Sequence, residues 1–276
     1  MPIEYKSDGD ILGMRAAGLV VARIHEALRA AARPGATTAE MDAVALDVLA
    51  SSGARSNFHG YRGYPAQICV SVNDEIVHGI PGERVLQAGD LVSFDCGAVL
   101  DGWHGDAAFS VVLDGGDRST RQARERLCAV TREAMWRGVA ALAAGRRIGD
   151  VGRAIDDYVV SLPDPPGIVE DYVGHGIGSA MHQEPDVPNY RTRSRGPKLR
   201  AGMVLCVEPM LTAGDQANRT LEDGWTVVTA DGSDACHWEH EVAVHSGGIW
   251  VLTSPDGGAQ GARSDGGEPD GGLASR

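Results

Sequence analysis

Residues 91–113 read LVSFDCGAVLDGWHGDAAFSVVL, two apolar β-type runs meeting at Asp101-Gly102 with one acid in each arm. Asp-Gly between such runs is a hairpin signal, because the tight turn needs positive φ at its centre. Closing that turn brings Asp95 and Asp106 to one place. A carboxylate among Val, Leu, Phe and Trp costs several kcal/mol unless something positive compensates it. The same problem recurs downstream, at His175 in DYVGHGIGSAMHQEP (171–185), Glu208 in MVLCVEPML (203–211) and Glu239 in CHWEHEVAVH (236–245). No arginine lies in these four segments, and the only lysines, Lys6 and Lys198, lie outside them. Two divalent cations would cancel four carboxylates, leave one imidazole as a further ligand and make room for a hydroxide, which is the pattern of a two-metal hydrolase. In MVLCVEPML, strand alternation puts Val204, Cys206 and Glu208 on one face.

Composition narrows the class. At 276 residues and 29.0 kDa the chain is within reach of one large domain. A formal charge of -13 argues against a grip on a nucleic-acid backbone. Apolar stretches fall short of a membrane span, and MPIEYKSDGD has no signal-peptide pattern, so the expected location is the cytoplasm. Five widely spaced cysteines, odd in number and never C-x-x-C, read as reduced thiols rather than a disulfide or zinc framework.

Around the central hairpin, residues 10–32 predict a helix with Leu12, Leu19, Ile24 and Leu28 on one stripe, stopped by Arg33-Pro34-Gly35. Thr37 and Glu40 have the spacing of a capping box for a second helix that ends at Gly53. A strand-like QICVSVN precedes the hairpin; two helices over 117–144 and 149–161 follow it, then a break at Pro163, Pro165 and Pro166. The last third holds short strands. Helices first, then strands, helices and strands again predict an α+β architecture. Residues 1–253 are expected to form one catalytic domain and 254–276, almost without apolar side chains, a disordered tail. No G-x-G-x-x-G after a strand, P-loop or G-x-S-x-G sequence is present.

Read in order, SVNDEIVHGIPG, DCGAVLDGWHGDAAF, GHGIGSAMHQEP, CVEPM, DGWTVVT and WEHEVAV resemble the type I methionine aminopeptidases from about residue 5 to about residue 252. The resemblance implies the pita-bread fold, a curved antiparallel sheet in two pseudo-symmetric halves with outer helices. It implies that Asp95 binds one metal bidentately, that Asp106 and Glu239 bridge two, and that His175 and Glu208 complete the second. Glu208 would also move a proton, while His78 and His182 would face the substrate. The methionine pocket would be lined by Phe58, Tyr61, Tyr64, Cys69 and Trp225, with Met181 nearby. Thioether sulfur packs well on aromatic walls.

The implied activity is removal of the initiator methionine from nascent chains whose second residue is small, near the ribosome exit, by a monomer without membrane or nucleic-acid partners. The donor set suits Mn, Fe(II) or Co as well as Zn. Three departures from some family members stand out: Cys96-Gly97 after Asp95, Phe58 for Cys, and Met181 for Phe. The spacing between late ligands leaves no room for a type II insertion, and the large N-terminal domain of prolidases is not expected here. An X-Pro dipeptidase is the alternative enzyme; a peptide-binding module on the same fold is the alternative outside catalysis.

Overall fold

In the computed structural model, residues 2–259 are described. Helix α1 (Asp8–Ala31) begins at Ser7, whose hydroxyl accepts from Asp10 N while the Asp10 carboxylate accepts from Ser7 N at 2.8 Å. This is a capping box with Asp where Glu or Gln is usual. Its buried face is Ile11, Met14, Ala17, Val20, Val21, Ile24 and Leu28, while Leu12 is 54% exposed. The stripe expected through Leu12 and Leu19 is therefore rotated. Small residues at 17 and 18, which hydrophobicity alone undervalues, mark the face that packs most closely. Helix α2 (Thr38–Ser51) starts with the Thr37–Glu40 box, and Gly53 follows it at φ 64°.

Strands β1 (Arg55–Ser56), β2 (Ile68–Val72), β3 (Glu75–Val77), β4 (Leu91–Leu100) and β5 (Trp103–Val112) come next. Helices α3 (Arg118–Ala144) and α4 (Gly149–Val160) follow, then β6 (Gly167–Ile168), β7 (Gly174–Gly176), β8 (Gln183–Val187), β9 (Val204–Val207) and β10 (Met210–Thr212). The last five are β11 (Asn218–Thr220), β12 (Val227–Thr229), β13 (Ala235–His237), β14 (His240–His245) and β15 (Gly248–Val251). The strands pair antiparallel in four groups: β1-β4-β2 with β5 on β4, β13-β10-β6, β11-β12-β3, and β15-β14-β9-β7-β8. Helix α1 packs on β4 and β5, and α3 on α4, β5 and β13. Helices outside and antiparallel strands inside make the α+β pita-bread arrangement.

The β4–β5 hairpin turns at Asp101 (φ 49°) and Gly102 (φ 85°), the conformation that an Asp-Gly turn requires. Its register sets Asp95 opposite Ala108 and Asp106 opposite Gly97. The two acids are thus diagonal neighbours on one face. MVLCVEPML is not one strand. Pro209 has no N–H to donate, so β9 stops at Val207 and β10 resumes at Met210, leaving Glu208 in the break.

The expected tail boundary also moves. Arg15 donates to the carbonyls of Ser254 at 2.6 Å and Pro255 at 2.9 Å, holding a turn over 254–259 against the body. Residues 260–276, the rest of the stretch expected to be disordered, lie outside the described residues.

The approach of α1 to the hairpin is glycine on glycine. A Cβ on Gly105 would stand 2.7 Å from Gly18 N, and one on Gly18 would stand 2.5 Å from Leu252 O. Gly105→Ala is expected to lower stability by about 1–3 kcal/mol, the usual penalty of forced overpacking. Gly82→Ala, with open space around it, should stay within about 0.5 kcal/mol of the parent. Urea unfolding of both variants checks the contrast, and equal midpoints would deny the close approach.

Candidate metal centre and cleft

Three carboxylates converge at the hairpin. Oxygens of Asp95, Asp106 and Glu239 lie within 4.8 Å of one another. Glu239 is held there by its backbone N–H, which donates at 2.9 Å to the carbonyl of Ala108, the register partner of Asp95. Glu208, in the break after β9, has its carbonyl fixed by Asn189 Nδ2 at 3.2 Å. Its Oε1 is 3.5 Å from His175 Nε2. His175 Nδ1 donates to Gly176 O at 3.0 Å, so in the neutral ring Nε2 is a bare lone pair. A lone pair facing a carboxylate oxygen calls for a cation between them.

The orphaned atoms say the same. Asp95 Oδ1, Asp106 Oδ1, Glu208 Oε1 and Glu239 Oε1 are buried without a hydrogen-bond partner, and among the described residues none of these four acids pairs with Lys or Arg. Burial raises the Asp95 carboxyl to about 7. Asp106, Glu208 and Glu239 are pushed well above the usual carboxylate range, first by burial and then by each other's charge. Burial, then His182, pushes His175 down to about 3, so it stays a neutral donor of electrons. Four anionic oxygen donors and one imidazole nitrogen fit divalent cations, with hard ligands in the majority.

Several neighbours went unseen in the sequence. Glu241 is fully buried, and its Oε2 accepts from Asp106 N at 3.2 Å. His237 Nε2 is buried, unpartnered and 4.0 Å from Glu208 Oε2. Both stand two residues from Glu239, and strand alternation was the available signal. Cys206, whose thiol burial keeps protonated, hydrogen-bonds Glu239. Lys6 is nearer than its sequence position suggested: its Nζ donates to Gln183 Oε1 at 2.9 Å, and its charge acts on Glu241.

The carboxylates form the floor of a cleft of about 290 Å³. Phe58, Tyr61, Tyr64, Cys69, Met181 and Trp225 line it together with His78 and His182, so every residue expected at the site opens onto one space. Tyr172, Val77, Met210 and Arg62 add to the wall without having been foreseen. Tyr64 and Trp225 meet edge to face at 5.1 Å, and Phe58 meets Tyr64 at 6.4 Å. Cys69 is opposite Asp95 across β2 and β4. His182 Nδ1 is 2.9 Å from Tyr61 OH, and its ring centroid is 4.3 Å from that of His175. His78 has the positive φ of 61°, and burial pushes its imidazole down to about 4. His104 and His240 do not reach the cleft. The Gly97 departure has a reason in this chain: Asn57 fills the space a Cβ would need, 2.5 Å away, and bonds Gly105 O.

The sequence profile of metallopeptidase family M24 matches residues 13–246. Methionine aminopeptidase 1 of Mycobacterium tuberculosis is 49% identical over 256 residues, which are 91% of this chain and 95% of that protein. The crystal structure of methionine aminopeptidase from Thermotoga maritima superposes with a TM-score of 0.86 at 38% identity, covering 92% of this chain and all of that one. Prolidase from Pyrococcus furiosus shares the fold, with a TM-score of 0.68 at 18% identity over 91% of this chain and 65% of its own.

Removing cations from this floor is expected to lower the melting temperature, since a ligand at a hundredfold excess over its Kd adds about 2.7 kcal/mol. The effect depends on pH. In the metal-free chain Asp95 is raised from 3.8 to about 7. Its protonation therefore contributes stability that is complete below the unfolded value and lost as pH rises through about 7. Cations need the deprotonated form. The gap between loaded and chelator-treated protein should widen from about pH 5 to about pH 8. Melting curves with and without chelator that coincide at every pH would rule out the centre.

Proposed function

The chain belongs to metallopeptidase family M24, and we propose that it removes the initiator methionine from nascent chains with a small second residue, using the centre and cleft described above. Aminopeptidase chemistry is what its relatives share by name. The observation that carries the site assignment is the floor of unpaired, buried carboxylates beneath an aromatic, sulfur-bearing pocket.

Asp95, Asp106, His175, Glu208 and Glu239 would hold two divalent cations, of Co, Mn, Fe(II) or Zn. When bound, such a pair supplies Lewis acidity and a water activated for attack at neutral pH. Glu208, at the junction of floor and cleft, takes a proton from the attacking water and returns it to the leaving amine. His78 and His182 hold the scissile amide and its developing negative charge. Tyr61 fixes the His182 ring through the contact at Nδ1. Phe58, Tyr64, Cys69, Met181 and Trp225 enclose the methionine side chain, where sulfur–aromatic contact favours a thioether over Leu. Residues 1–253 would serve as the catalytic domain, extended by the packed turn to 259. A monomer acting near the ribosome exit is the finer part of this reading. No helix among the described residues is long and apolar enough to cross a membrane.

Turnover of Met-Ala-Ser, Met-Leu-Ser and Leu-Ala-Ser with added Mn or Co tests the proposal. A large second side chain must displace packed atoms, at about 1–3 kcal/mol, so Met-Ala-Ser should exceed Met-Leu-Ser by roughly 10- to 150-fold. Comparable rates would refute the steric reading, and faster cleavage of a dipeptide ending in proline would favour the dipeptidase. His78→Ala and His182→Ala should each lower kcat by roughly 10²–10³ with metal content unchanged. Metal loss in either variant would move that histidine into the metal shell.

A further inference from the structure

A second cavity, of about 340 Å³, lies outside the cleft and shares none of its lining residues. Alternation along 238–241 sends Glu239 toward the first cleft and Trp238 and His240 to the other side. There they line the second cavity with Phe109, Trp136, Arg29 and Arg132.

Both arginines are mounted on aromatic faces. Arg29 Cζ is 3.8 Å from the Phe109 centroid and 5.7 Å from that of Trp238, and Arg132 Cζ is 5.5 Å from the same Trp238 ring. Such contacts fix a guanidinium without neutralising it. Neither arginine has a carboxylate partner among the described residues, although the chain has 38 acids against 25 Lys and Arg. Elsewhere Arg84, Arg121, Arg124 and Arg126 each pair with an acid. The single acid lining this cavity, Asp256, has Oδ1 engaged by Ser254 Oγ at 2.6 Å and Gly258 N at 2.9 Å.

The remaining polar walls carry no charge. His25 donates through Nε2 to Ala107 O at 3.1 Å, and His240 Nδ1 is 2.8 Å from Thr253 Oγ1. Burial, together with the arginines, holds both imidazoles neutral, at about 3 and about 4. Two guanidiniums thus face one cavity whose wall carries a single carboxylate, Asp256, and among the described residues neither forms an ion pair with it, each keeping part of its length in solvent. A planar fork of N–H donors matches a carboxylate or phosphate, and Trp136 and Trp238 offer flat apolar walls beside it.

We propose that this cavity binds a small organic anion, a carboxylate or phosphate ester on a flat aromatic body, with Arg29 and Arg132 as its anion grip. The site is independent of the aminopeptidase reading, because none of the residues assigned to that chemistry lines it.

Calorimetric titration of the full-length protein with phenyl phosphate, benzoate and neutral benzyl alcohol tests the proposal, and the first two separate a phosphate from a carboxylate source. Phenyl phosphate, benzoate or both should bind, and benzyl alcohol should not. Arg29→Gln and Arg132→Gln should each weaken the anion roughly tenfold or more, the scale of one charged hydrogen bond, and the double variant should abolish measurable binding. Anions also approach metal centres, so the titration is repeated after chelation, where affinity should persist. Circular dichroism and unchanged Met-Ala-Ser turnover verify that the variants are folded. Undiminished binding in the double variant, equal binding of benzyl alcohol, loss of binding on chelation, or no binding of either anion would overturn the assignment.

Discussion

Burial of like charges with no paired cation among the described residues is the constraint on which this molecule turns. Asp95, Asp106, Glu208 and Glu239 are brought together where each raises the others' affinity for protons. No Lys or Arg among the described residues pairs with them, and an unpaired buried charge is among the costliest things a fold can hold. Tolerating it requires rigid surroundings. The hairpin register fixes two of the acids, the Ala108 carbonyl fixes the third, and the Asn189 amide holds the backbone of the fourth. The glycine contact between α1 and β5 holds that hairpin against the helix layer.

Local signals carried most of the architecture. The Asp-Gly turn, the Thr37–Glu40 box and the proline break after α4 each need only neighbours in sequence, and each stands where the pattern put it. Signals that depend on tertiary packing did not survive the same treatment. The inner face of α1 is set by where small residues allow approach to β5, so a stripe drawn through Leu12 points to solvent. Ser7 and Asp10 form a box with a shorter acid than the familiar one, which concealed the helix start.

At the site the division is similar. An acid in an apolar run is visible as an anomaly, and all four such acids, with His175, open onto the same cleft. Which atoms face which is a long-range matter. Glu208 leaves its strand because Pro209 interrupts the ladder, and Lys6 approaches Glu241 across most of the chain's length. His237 and Glu241 resembled ordinary neighbours of a ligand; their burial without full hydrogen bonding distinguishes them.

The backbone at His78 has a consequence for how fast the cleft can respond. A left-handed conformation at a non-glycine residue is uphill by about 1–3 kcal/mol and persists only where its surroundings over-determine it. Here the ring is flanked edge-on by Tyr172 at 5.6 Å and Trp225 at 6.1 Å. The imidazole therefore has few alternative orientations to search. Its entropy was surrendered during folding, so under the proposed role an entering amide would meet a donor already aimed, with little rearrangement of that side chain between encounter and reaction.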